Sequence, residues 1–113
     1  MPHRILLLAL LSLVTAACSS SVHTSKHPRL GAPNLPPTDP AQVEVLHRPP
    51  VRPFMRLGRI RATPQGGADQ EQVETALRQA AASMGANAIL IEHDSDAEPG
   101  GVVQAQAIAY REH

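Results

Sequence analysis

Apolar side chains recur with a helical period over one stretch only. Val73, Ala76, Leu77, Ala80, Ala81 and Met84 stand at i, i+3, i+4, i+7, i+8 and i+11. That spacing draws one continuous apolar stripe down a helix spanning about Asp69 to Met84. Asp69, with Gln72 three residues on, has the spacing of a capping box, and Gly85 supplies the left-handed residue that ends a helix. The stripe is rich in alanine, so the helix can lie close to whatever it covers. Directly after it, Ala86-Asn87-Ala88-Ile89-Leu90-Ile91-Glu92 reads as a short buried strand. From Val102 to Tyr110 the chain alternates, Gln104 and Gln106 on one side and Ala105, Ala107 and Ala109 on the other. This second strand is expected to pair back on the first as a hairpin across the polar turn His93–Gly101. Ahead of the helix, Gln42–Leu46 and Leu57–Ala62 are weaker strand candidates, parted by a proline-rich bend from Pro49 to Pro53. The sum is an α/β (α+β) domain in the order β-β-α-β-β, a small mixed four-stranded sheet with one helix packed on one face.

Upstream of this domain the pattern changes twice. Ser19 to Ala41 holds few large apolar side chains and has prolines at 28, 33, 36, 37 and 40. Such a stretch buries too little surface to offset its ordering entropy, so it is expected to be a disordered tether. At about 3 Å per residue it would hold the domain some tens of Å from its point of attachment. Before it, His3 and Arg4 precede the largely apolar run Ile5–Ala17, which stops at Cys18, the chain's only cysteine. A basic start, a short apolar run and small residues at the end have the layout of a secretory signal. The run is shorter than the roughly 20 apolar residues a membrane span needs. Domain boundaries follow: 1–17 signal, 18–41 tether, 42–113 folded domain.

Cys18, just after Ala16-Ala17, resembles the lipobox of bacterial lipoproteins. The resemblance implies diacylglycerol on the thiol, cleavage before Cys18 and acylation of the new amine. Several acyl chains, at about 0.8 kcal/mol per buried CH₂, anchor far more firmly than one. Ordinary signal cleavage would instead leave a lone thiol with no partner cysteine in an oxidising compartment. Ser19 stands where inner-membrane retention has an aspartate, so the resemblance implies the outer membrane, with the domain facing the periplasm.

Composition narrows the partners. Formal net charge is +0, and Phe54 and Tyr110 are the only aromatic residues. A nucleic-acid binder would show a basic excess, and stacking surfaces for bases or sugars need more rings. No nucleic acid is expected as a partner.

A wider resemblance rests on three phrases: Leu57-Gly58-Arg59-Ile60, the helix ending Ala80-Ala81-Ala82-Ser83-Met84-Gly85-Ala86-Asn87-Ala88-Ile89, and the closing Ala107-Ile108-Ala109-Tyr110. Together they resemble small bacterial lipoproteins with a Gly-Ala-Asn-Ala helix-to-strand motif. Their architecture is similar to the outer-membrane sensor lipoprotein of the Rcs phosphorelay and to YbjQ-like domains. The resemblance covers about residues 42–110 and implies a stress-sensing or envelope-interaction module. The Rcs sensor's domain is held by disulfides, for which this chain has no cysteines beyond Cys18. Independently of the likeness, Gly85 breaks the helix, Ala86 and Ala88 permit close approach, and Asn87 can bond backbone groups at the turn.

Two clusters carry potential chemistry. His93, Asp94, Asp96 and Glu98 could hold a metal or another ligand, but their spacing does not complete an EF-hand loop, and a solvated hairpin turn explains the same residues. Arg48, Arg52, Arg56, Arg59 and Arg61 form a basic group, of which Arg59 and Arg61 share a strand face. Arginine forks suit phosphate and carboxylate, so Arg56, Arg59 and Arg61 are candidates to meet lipopolysaccharide or an acidic envelope protein. Arg48-Pro49-Pro50-Val51-Arg52-Pro53 reads as a rigid bend rather than a polyproline ligand. No nucleophile-histidine pair, phosphate loop or carboxylate pair lies on regular elements, so neither an enzyme nor a cofactor is expected. The sequence therefore predicts a non-catalytic, lipid-anchored envelope module, with a metal- or ligand-binding lipoprotein as the alternative.

Overall fold

Burial alternates most regularly in the longest strand, Phe54–Gln65, where Arg56, Arg59 and Arg61 are exposed and Leu57, Ile60 and Ala62 are buried. The computed structural model describes residues 20–94 and 101–111. Its strands are β1 (Ser21–Pro28), β2 (Glu44–Leu46), β3 (Phe54–Gln65), β4 (Ala88–Asp94) and β5 (Val103–Tyr110), with helix α1 (Gln70–Ser83) between β3 and β4. They form one mixed sheet in the order β1-β3-β5-β4-β2, antiparallel throughout except for the parallel pair β2 and β4. The last of the described strands thus occupies the middle of the sheet.

Helix boundaries follow the sequence signals. Gln72 N–H donates to Asp69 Oδ1 at 2.8 Å, and Asp69 N–H donates to Gln72 Oε1 at 3.0 Å, completing the capping box. At the other end Gly85 has φ +83°, and Gly85 and Ala86 donate to the carbonyls of Ala82 and Ala81, both at 3.0 Å. Those two bonds make a Schellman cap. Val73, Leu77, Ala80 and Ala81 bury the predicted stripe against Leu57, Ile60, Ala62, Ile89 and the alanines of β5. Asn87 does the structural work its position suggests: its Oδ1 accepts from Tyr110 N–H at 3.0 Å, and its carbonyl accepts from Glu44 N–H at 3.1 Å.

The sheet has five strands rather than the four expected, and the fifth comes from the supposed tether. Ser21–Pro28 pairs with β3 along its whole length, from Ser21 opposite Gln65 to Pro28 opposite Gly58. An edge strand needs a hydrogen-bonded partner on one side only, so its polar sequence is no obstacle. Gly58 makes the approach possible: a Cβ there would stand 2.6 Å from the His27 carbonyl oxygen, 2.7 Å from Met84 Cε and 2.9 Å from Pro28 Cα.

Residues 29–43 are ordered by contacts too. Thr38 N–H donates to the Ala82 carbonyl at 2.9 Å, and Thr38 Oγ1 donates to the Ala86 carbonyl at 2.6 Å. Leu35 packs on the core, Val43 is buried, and Asp39 caps a 3₁₀ turn at Pro40–Gln42. This strap crosses the C-terminal half of α1 and buries Ala82, which lies off the predicted stripe. The prolines that suggested a tether instead stiffen a strap.

Candidate functional site

α1 covers one sheet face. Register and burial place Thr24, Lys26, Ile60, Ala62, Ala105 and Ala107 on that side, where Lys26 Nζ donates to Ser83 Oγ at 2.9 Å. The opposite face is not covered by a helix among the described residues. Across it run His23, Ser25 and His27 from β1, the arginines of β3, Gln104 and Gln106 from β5, and Glu92 from β4. Ala88, Leu90 and Ile108 are buried there as well, framed in the register by Glu44, Arg56 and Tyr110.

A bulge decides which arginines meet on this face. Pairing with β5 steps from Arg56–Ile108 to Gly58–Ala107, leaving Leu57 as the extra residue. Strict alternation would put Arg56 and Arg59, three apart, on opposite sides. The additional residue reverses the phase, so Leu57 and Gly58 are both buried and Arg56 joins Arg59 and Arg61. The structure therefore brings together all three predicted interaction residues. With His27 and Arg29 they line a furrow of about 560 Å³, and Arg29, Arg56 and Arg111 line an adjoining one. Arg29 escaped the sequence reading because it stood in the supposed tether.

Charge on the face is only partly neutralised. Arg59 Nε lies 3.3 Å from Glu92 Oε2, and Gln106 Nε2 donates to the other Glu92 oxygen. Arg59 is 56% exposed, so the pair contributes at most about 1 kcal/mol. Among the described residues no ion pair forms at Arg29, Arg56, Arg61 or Arg111. Glu44 and Glu92 are the acids of this face; the helix layer has Glu71 and Glu74 on α1, Asp69 at its N-cap and Asp39 on the turn before β2, against the cations Lys26 and Arg78.

The chain's two aromatic residues are cross-strand neighbours on this face, Phe54 opposite Tyr110. Arg52 stacks over the Tyr110 ring, 3.9 Å from its centroid. Tyr110 Oη donates to Glu44 Oε2 at 3.4 Å. Burial pushes the phenol pKa above its ordinary value, the Glu44 charge and hydrogen bond push the same way, and Arg52 opposes them. Arg48, the remaining member of the sequence cluster, is exposed on the bend before Arg52.

The other candidates are less visible. Cys18, Asp96 and Glu98 lie outside the described residues, as do the side chains of His93 and Asp94, whose backbone ends β4. Among the described residues no group of three His, Cys, Asp or Glu side chains could hold a metal ion. A cleft of about 200 Å³ between α1 and the sheet has His47, Asp69 and Glu74 along its lining, but they do not form such a group. Among the described residues no helix is long and apolar enough to cross a membrane.

No protein-family model matches the chain, and no curated protein matches it. Among solved structures, the Francisella virulence factor FvfA, crystallised in an orthorhombic form, is similar in fold. The TM-score is 0.55 at 21% sequence identity, and the match covers 81% of this chain and 100% of that one. That coverage exceeds what residues 42–113 make up, so the likeness extends into the segment that holds β1 and the strap.

Proposed function

We propose that this protein is a lipoprotein anchored through Cys18 in the outer membrane, whose non-catalytic periplasmic domain acts by contact with other envelope components. The observation that carries the reading is the order of segments. A short apolar run with a basic start ends at Cys18, and every strand described lies after it. Cleavage before Cys18 would therefore leave every described strand in the mature chain. The open arginine face supports a contact role, because guanidinium forks there are exposed and mostly without ion-pair partners among the described residues. Stress sensing is one form such contact could take, consistent with the Gly-Ala-Asn-Ala likeness.

Radiolabelled palmitate tests the anchor. The wild type should incorporate label and fractionate with outer membranes, and Cys18→Ser should lose both. An unlabelled wild type released with the soluble periplasm refutes the proposal.

A further inference from the structure

We infer that the open sheet face is a second membrane-contact surface, lying on the anionic phospholipid headgroups of the leaflet that holds the anchor. The inference rests on the reading of Cys18 as the acylated residue and goes beyond it, because an anchor alone does not orient a domain.

Leash length is the first argument. Only Ser19 and Ser20 stand between Cys18 and β1, and Ser20 is already tied to α1 through reciprocal hydrogen bonds with Gln72 at 2.7 and 3.1 Å. Fully extended, this leash reaches about 10 Å, so the domain cannot stand off from the headgroups. One of its surfaces must touch them.

Charge and side-chain type select the surface. On or beside the open face Arg29, Arg52, Arg56, Arg59, Arg61 and Arg111 outnumber Glu44 and Glu92, and Arg29, Arg56 and Arg61 have no ion-pair partner among the described residues. On the helix side, by contrast, Asp39, Asp69, Glu71 and Glu74 outnumber Lys26 and Arg78. Against an anionic headgroup layer the open face is attracted and the helix layer repelled. End-on contact through the start of α1 would press Asp69 and Glu71 toward the same phosphates. The aromatic and apolar residues agree. Phe54 and Tyr110 sit on the open face, and rings favour the headgroup level of a bilayer. Leu30 is fully exposed and lines the furrow that Arg29, Phe54 and Arg56 share. A fully exposed aliphatic side chain beside arginines suits shallow insertion between headgroups.

The full-length lipoprotein, reconstituted in vesicles of phosphatidylglycerol and phosphatidylethanolamine, provides the test. Acylation of Cys18 leaves an introduced cysteine as the one reactive thiol, since the chain has no other. A fluorophore is placed at His27→Cys on the open face, Thr75→Cys on the outer side of α1, or Gln70→Cys at the end nearest the anchor. Headgroup-attached nitroxide should quench the His27 probe strongly and the Thr75 probe little. Raising salt to about 1 M shortens the screening length to roughly 3 Å and should relieve the quenching. Quenching at Gln70 alone means end-on contact and overturns the inference. So does equal quenching at all three positions, or at none.

Mass spectrometry of the amino-terminal peptide separates a failed anchor from a failed orientation. Should Cys18 carry no acyl chain, the same full chain must still float with phosphatidylglycerol vesicles and not with phosphatidylcholine vesicles. Arg56→Gln and Arg61→Gln should each weaken that binding about fivefold. Binding indifferent to lipid charge and to both substitutions overturns the membrane assignment. Capture by a soluble acidic polypeptide in place of vesicles does so as well.

Discussion

Replacing Gly85 by alanine tests whether residues 29–38 are part of the fold. Two penalties meet at this position. The backbone is left-handed, with φ +83°, which costs an L-residue about 1–2 kcal/mol. Restricting the unfolded chain returns roughly 0.4–1 kcal/mol of that. In addition, the new Cβ would stand 2.5 Å from Leu35 Cβ and 2.9 Å from the Pro36 carbonyl oxygen, so the strap must shift. Overpacking of this kind costs about 1–3 kcal/mol. Gly67 provides the control, since its φ is +78° and a Cβ there meets nothing within 4 Å. Gly67→Ala is expected to cost at most about 1.5 kcal/mol, and Gly85→Ala about 1–3 kcal/mol more than that variant. Urea unfolding of the Cys18→Ser chain, followed by circular dichroism, measures the difference. With a slope of about 1–2 kcal/mol/M, each kcal/mol moves the midpoint by roughly 0.5–1 M. Gly85→Ala should also speed trypsin cleavage after Arg29, which sits at the start of the strap. Equal midpoints and equal cleavage for the two variants would refute the packed strap and restore the tether.

Gly58→Ala should loosen β1, because the new Cβ meets the backbone of His27 and Pro28 at 2.6 and 2.9 Å. A loss of about 1–3 kcal/mol is expected, with amide exchange accelerated in β1 more than in β5. Tyr110 is the chain's only tyrosine and there is no tryptophan, so its phenolate absorbance can be titrated without interference. The midpoint should lie above the ordinary phenol value and fall in Glu44→Gln. A pKa raised by folding means that the neutral phenol is the form the native state favours. Its contribution to stability is complete below the unfolded pKa and is lost as pH climbs through the folded one. A titration unchanged by Glu44→Gln would contradict the Tyr110–Glu44 contact.

The parts of the fold legible in sequence were those whose signals are local. Asp69, Gln72 and Gly85 mark the ends of α1 through bonds made within a few residues, and the alternation of β5 shows on its own side chains. β1 carries no such mark. Its inward positions Val22, Thr24 and Lys26 include one large apolar residue, and its place depends on Gly58, more than thirty residues away. The prolines of the strap read as flexible because the helix surface that orders them is equally remote. At the candidate site, composition suggested the arginines and period 2 paired Arg59 with Arg61. Adding Arg56 required the bulge at Leu57, which appears only once β3 is aligned against β5.

That β5 follows the other described strands in the chain yet is central in the sheet governs when the domain can come into being. Until residues 103–110 emerge, β1 with β3 and β4 with β2 share no strand pairing and meet only through α1, each pair with an unsatisfied inner edge. Two-stranded fragments of this kind are marginal in water. A polypeptide threaded through a narrow translocation pore from its amino end would therefore stay pliable until β5 arrived, then close in one cooperative step.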